Sequence, residues 1–274
     1  MRHRLALNGA TTGGDLLSDI RAAGTAGFEA LEIPDNKMDA YLQAGATLAS
    51  LQRELAESGI SVLGVGALEL ATLLEGAALS AMLARCQVLC ERALALNAPY
   101  IILVPSPTPA GWTDRAILDK SLTSLNLFAD IAVRYHVRIG FEFLGFADSS
   151  VRTLAAARNL IAALNRPTVG LAVDTFHLYA GGSAWGELDE LDPAEVFLVH
   201  LSDAEKRPLA ELTDDHRLLP GDGIIPLDDF VSKLNLIGYR GFYSLELFRP
   251  EYWKLDPIEL AMRGRQKMEA ILRP

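Results

Sequence analysis

The sequence predicts a single (β/α)8 barrel spanning residues 1–274, and three observations carry that reading. Eight short apolar runs recur along the chain: RLALNG, ALEIP, SVLGVGA, YIILVP, RIGFEF, VGLAVD, VFLVHL and FYSLEL. They are rich in Val, Ile, Leu and Phe and mostly continuous rather than alternating, as parallel strands covered by helices read. Between them lie segments with apolar residues at three- and four-residue spacing, the period of a helix with one buried face. Eight strand–helix units in 274 residues average about 34 residues each, which suits a closed barrel.

Each element has a local reason. RLALNG opens the chain as a strand, and Asp15 stands where it can cap the helix DLLSDIRAAGTAG, which Gly27 closes. After ALEIP, the helix TLASLQRELAESG ends at Gly59. LARCQVLCERALALN, SLTSLNLFADIAVRY and LAAARNLIAALN are the helices that follow SVLGVGA, YIILVP and RIGFEF, and Gly238 closes the helix before FYSLEL. A doubly wound open sheet would need only five or six strands. It would also place a glycine-rich dinucleotide loop after the first strand, where NGATTGG lacks the required spacing.

Composition excludes several classes of function. Half of the residues are hydrophobic, yet no apolar stretch reaches the roughly 18 residues of a membrane span. MRHRLALNGATTGGD reads as a first strand rather than a signal peptide. The net charge of −10 disfavours a nucleic-acid partner, and no basic run is present. Cys86 and Cys90 lie four apart on one helical face and read as two core thiols. The expectation is a cytoplasmic protein with neither membrane nor nucleic-acid partner.

The chemistry lies at four strand ends. Glu142 ends RIGFEF, Asp174 ends VGLAVD, His200 ends VFLVH and Glu246 ends FYSLE. A parallel barrel gathers these ends at one face, where active sites of this architecture lie. Burying a lone carboxylate among Val, Leu and Phe is costly unless it is paired or bound to metal. Three carboxylates and one neutral imidazole suit a single divalent ion, with Mn²⁺, Co²⁺ or Zn²⁺ favoured over Ca²⁺ by the histidine. The segment between His200 and the last strand holds SDAEKRPLAELTDDHRLLPGDGIIP, a long loop on the active face. There Arg217, before the PGDG turn, can clamp substrate oxygens, with His216 and Asp222 as weaker candidates. His177, three residues past Asp174, can orient a ligand, hydrogen-bond the substrate or simply belong to the loop. Trp185, Tyr252 and Trp253 can line the pocket or pack in the core, and Glu32 is a pocket candidate without a role. His3 and His136 lie away from the site.

Together EFLG, VDTFH, HLSD, the PGDG turn and SLELFRPEY resemble the xylose isomerase-like barrel superfamily, which includes endonuclease IV, hydroxypyruvate isomerase, ketose 3-epimerases and inosose isomerase. The segments LTDD, R-x-x-PGxG and ELFRPEYxKL are similar to the inosose isomerase branch in particular. The resemblance implies that Glu142, Asp174, His200 and Glu246 bind one divalent metal and that His177 and Arg217 contact substrate. It implies a small polyhydroxy ketone as substrate, 2-keto-myo-inositol converted to 1-keto-D-chiro-inositol by proton transfer through an enediolate, with Glu142 and Glu246 as acid and base. A ketose 3-epimerase, a 3-dehydroshikimate dehydratase and a non-catalytic sugar-binding barrel are the alternatives. In one place the chain departs from the pattern: the resemblance leads to an acid at the end of the first strand, where Gly9 stands.

Overall fold

A computed structural model describes residues 3–273. Eight parallel strands close into a barrel: β1 (Arg4–Asn8), β2 (Ala30–Pro34), β3 (Ser61–Leu68), β4 (Tyr100–Leu103), β5 (Arg138–Glu142), β6 (Val169–Asp174), β7 (Val196–Leu201) and, last in the chain, β10 (Phe242–Leu245). The ring runs β1-β10-β7-β6-β5-β4-β3-β2, so chain neighbours are also spatial neighbours. All eight apolar runs are strands, as the sequence predicts.

The helices are α1 (Leu16–Ala26), α2 (Asp35–Gln43), α3 (Leu48–Ser58), α4 (Gly76–Ala95), α5 (Asp114–Arg134), α6 (Leu154–Leu164), α7 (Thr175–Ala180), α8 (Leu227–Ile237) and α9 (Pro257–Ile271). Asp15 caps α1 by accepting from the Ser18 amide. Gly27, Gly59 and Gly238 close α1, α3 and α8 with φ of 82°, 70° and 88°, a left-handed bend in which a Cβ is strained. The helix α2 does not follow from the apolar runs: DNKMDAYLQ is polar on average and buries only Met38. Between β7 and α8 there is no long helix. A two-stranded antiparallel ribbon, β8 (Asp203–Ala204) and β9 (Arg217–Leu218), occupies that crossing instead.

Most of the apolar core lies between the barrel and its helices, where Cys86 and Cys90 are buried free thiols as expected. A smaller cluster fills the barrel itself, with Ala6, Ala30, Tyr100, Ile102, Ala172, Phe197, Leu198 and Phe242. Tyr100 and Phe197 stack at 5.3 Å, and the Arg138 guanidinium lies 4.6 Å over both rings. Gly140 faces inward too: a Cβ there would lie 3.1 Å from Ile102 Cδ1 and 3.5 Å from Leu198 Cδ2. Small residues alternate with large ones because the interior of an eight-stranded barrel is only wide enough for interleaved side chains. This plug is the floor on which the site rests.

Candidate metal centre

The floor and the site share one periodicity. Side chains of a strand alternate between faces, so a residue two places after an inward one also points inward. Gly140 is followed by Glu142, Ala172 by Asp174, Leu198 by His200, and Ser244 by Glu246. The four predicted residues therefore stand one layer above the plug. They come from β5, β6, β7 and the residue just after β10, four strands adjacent in the ring. Asp174 and His200 are paired in register, while Glu142 pairs lower, with Ala172. The stagger of the barrel brings the side chains together from different heights.

His200 Nδ1 lies 2.8 Å from Glu142 Oε1, 3.4 Å from Glu246 Oε2 and 4.0 Å from Asp174 Oδ2. One ligand atom from each of the four residues lies within 4.8 Å of all the others, and all four residues are buried. Three carboxylates packed this closely repel one another, and the donor set is one that a divalent cation fits. Burial opposes charge on the His200 imidazole, but Glu246, Glu142 and Glu32 overcome it and raise its pKa well above the usual value. A divalent cation held by this set would displace that proton and leave the imidazole neutral. Glu246 is raised well above the ordinary carboxylate range by burial and by Glu142 and Asp174, against His200 and Arg217. For Asp174 burial is outweighed by Arg217, His177 and His200, which lower its pKa.

Around the four stand residues that hold them. Arg217 is fully buried, with Nη1 2.6 Å from Asp174 Oδ2 and 3.2 Å from Ser202 Oγ, and Nε 2.8 Å from Asp214 Oδ1. Its Nη2 is 3.1 Å from His177 Nε2. Asp174 caps α7 by accepting from the His177 backbone N–H at Oδ1 at 2.9 Å, and His177 Nδ1 accepts from the Gly145 amide at 3.2 Å. Burial, followed by Arg217, lowers the His177 pKa against the pull of Asp174. Asn8 donates to Glu246 Oε1 at 2.8 Å, a contact that the sequence reading missed. Its signal was present: like the other four, Asn8 is a lone polar residue at the end of an apolar run. Glu32, left without a role, lies 3.1 Å from His200 Nε2.

The ribbon sets Arg217 in place by pairing it with Ala204. Asp203 ties the rest of the loop, accepting from the amides of Ala204, Gly221, Gly223 and Ile225 at 2.8 to 3.0 Å. The weaker candidates fall outside the site: His216 Nδ1 accepts from the Thr213 amide to close a turn, and Asp222 is exposed and paired with Lys267. Trp185 packs edge-on against Phe230, and the Tyr252 hydroxyl meets the Leu219 amide, so both support the scaffold. Trp253 donates to the Ala10 carbonyl and forms cavity wall. Gly9 has no room for a side chain: a Cβ would lie 2.7 Å from Pro34 Cδ and 2.8 Å from Asp19 Oδ2. A carboxylate does occupy the region, but it is Asp19 of α1, buried and paired with Lys37 at 2.8 Å.

Above the four residues opens a cavity of about 900 Å³, lined by Glu32, Glu142, His177, His200, Arg217 and Glu246 at its polar end and by Phe146, Phe248 and Trp253 among its apolar walls. No helix among the described residues is long and apolar enough to cross a membrane.

A family model described as xylose isomerase-like TIM barrel matches residues 20–271. The inosose isomerase of Halalkalibacterium halodurans is 33% identical over 259 residues, covering 93% of this chain and 92% of its own. That of Bacillus velezensis is 32% identical over 272 residues, covering 98% and 97%. Among solved structures, the IOLI protein with a zinc atom superposes with a TM-score of 0.95 at 30% identity, covering 98% of both chains. With its barrel, its strand-end acids and these relatives in agreement along nearly the whole sequence, the chain belongs to the xylose isomerase-like TIM barrel family.

Proposed function

We propose that the protein is a divalent-metal-dependent isomerase that moves the ketone of an inosose by one carbon, converting 2-keto-myo-inositol to 1-keto-D-chiro-inositol. The observation that carries this reading is the buried set Glu142, Asp174, His200 and Glu246, of which Glu142, His200 and Glu246 line a cavity of about 900 Å³. These four residues hold the ion, which is Zn²⁺, Mn²⁺ or Co²⁺ by donor chemistry. When bound, it supplies Lewis acidity that stabilises negative charge developing on the ketone oxygen.

The residues do the rest. Glu142 and Glu246 stand at the two ends of the four-strand arc and so flank a flat enediolate. One takes the proton from the hydroxyl-bearing carbon, whose C–H electron pair becomes the C=C bond of the enediolate. A proton is then delivered to the former carbonyl carbon; the neighbouring hydroxyl gives up its O–H proton and the former ketone oxygen takes one up, so the ketone stands one carbon along. Burial favours proton transfer between carboxylate and carbon because it excludes competing water.

His177 and Arg217 bind a substrate oxygen in this reading. A guanidinium can only donate, and the Gly145 amide can only donate to His177 Nδ1. The neutral imidazole then carries its proton on Nε2, which faces another donor, Arg217 Nη2, at 3.1 Å. Two donors side by side at the cavity wall are satisfied together by one acceptor, such as a substrate hydroxyl or ketone oxygen.

The test is turnover of 2-keto-myo-inositol in D₂O, followed by NMR. Deuterium is expected on the carbon next to the ketone, and chelation should abolish turnover until Zn²⁺, Mn²⁺ or Co²⁺ is restored. Glu142→Gln and Glu246→Gln should each lower kcat by a hundredfold or more, as an order-of-magnitude expectation for removing an acid or base. Full activity without metal, or many turnovers with no solvent deuterium and a large isotope effect on the migrating hydrogen, overturns the mechanism.

A further inference from the structure

We propose that Glu32 is a positioning residue that holds His200 as an Nδ1 ligand, an inference that rests on the metal reading above. Both Glu32 carboxylate oxygens approach the same atom, His200 Nε2, at 3.1 and 3.2 Å. The other ring nitrogen, Nδ1, faces Glu142, Glu246 and Asp174. The two nitrogen lone pairs of an imidazole diverge, so a carboxylate on Nε2 cannot reach an ion held at Nδ1 within the same arc. Glu32 is therefore not a fifth ligand. It accepts the Nε2–H, which fixes the tautomer, orients the ring and makes Nδ1 a stronger donor.

Two features separate this from a chance contact. Glu32 is 3% exposed in an apolar strand, and His200 Nε2 is the donor that meets it there. A carboxylate so placed is costly unless a donor meets it. Its Cα partner across β1 and β2 is Asn8, which does the same for another ligand by donating to Glu246 Oε1. The half of the barrel that supplies no ligand thus steers two of the four.

The tautomer can be read directly in the full-length zinc-loaded protein, labelled with ¹⁵N-histidine. With only five histidines in the chain, the His200 pattern is resolvable, and it should show Nε2–H with zinc on Nδ1. Glu32→Leu removes the acceptor, while Glu32→Gln keeps an acceptor oxygen and loses the charge. Zinc Kd, measured by competition with a chromophoric chelator, should weaken by about 10- to 100-fold in Glu32→Leu and less in Glu32→Gln. The Co²⁺ absorption bands should shift in Glu32→Leu while its far-UV circular dichroism stays the same. Zinc on Nε2 in the wild-type spectrum overturns the proposal even if the leucine variant does not fold. So does wild-type zinc affinity in a folded Glu32→Leu protein. A wild-type chain that binds no divalent ion overturns the metal reading itself and this inference with it.

Discussion

Arg217 Nη1 lies 2.6 Å from Asp174 Oδ2, and both side chains are fully buried. The arginine comes from the long loop after β7, and the aspartate from the end of β6. A guanidinium that grips a candidate metal ligand couples the loop to the centre. The sequence suggests that Arg217 meets substrate oxygens; the structure shows it holding the carboxylate of Asp174, the register partner of His200 on the neighbouring strand.

The first prediction follows from that pair. Arg217→Ala leaves Asp174 buried without its main cationic partner, at a cost of about 3–5 kcal/mol. Unfolding midpoint and metal affinity should both fall. Arg217→Lys should not restore them, because one ammonium cannot span Asp174, Ser202 and Asp214 as the forked guanidinium does. Calorimetry with a zinc titration checks this. A variant of wild-type stability and metal affinity, altered only in KM, would show that the arginine serves substrate alone.

A second concerns Asp203, whose carboxylate collects four backbone amides of its own loop. Asp203→Ala leaves the buried Ala204 and Ile225 amides without their acceptor, and should destabilise the protein by roughly 1–3 kcal/mol. Because the same loop carries Arg217, KM should rise, and limited proteolysis should cut first within residues 202–226. Protease resistance equal to wild type would remove Asp203 from this role.

The third is a pH dependence. Burial raises the Asp19 pKa from 3.8 to about 6, against the opposing pull of Lys37 and Thr12. Between these two values the folded state holds more protons than the unfolded chain, so stability falls as pH rises. The contribution is fully present below about pH 4 and lost as pH passes about 6, on the order of 3 kcal/mol. Asp19→Asn has no such titration. Urea unfolding of both proteins from pH 3.5 to 7 should show the wild type losing stability relative to the variant across that window, and parallel curves would exclude it.

How much of this was legible depends on whether the signal was local. The strands β5, β6, β7 and β10 are visible as apolar runs, and the residue that ends each run is visible because a charge interrupts Val, Leu and Phe. Asn8 carries the same mark in RLALNG, but an amide is also an ordinary turn residue, so the mark is weaker there. The helix α2 was hidden by its polarity: it buries little, so no apolar stripe betrays it. The acid beside Gly9 was hidden for another reason, since Asp19 reads as a solvated helix residue until packing places it under Lys37.

By itself the sequence determined the barrel and the four strand ends, because hydrophobic period and strand length are properties of consecutive residues. The same local logic placed the caps at Asp15, Gly27, Gly59 and Gly238. Only the tertiary structure decided what those ends meet. Closure of the ring sets β10 between β1 and β7, so Asn8 reaches Glu246 across 238 positions in sequence and Glu32 reaches His200 across 168. Such pairs leave no trace in local periodicity. They arise because a barrel of fixed stagger turns every inward side chain toward one narrow axis, where each buried charge must find a partner.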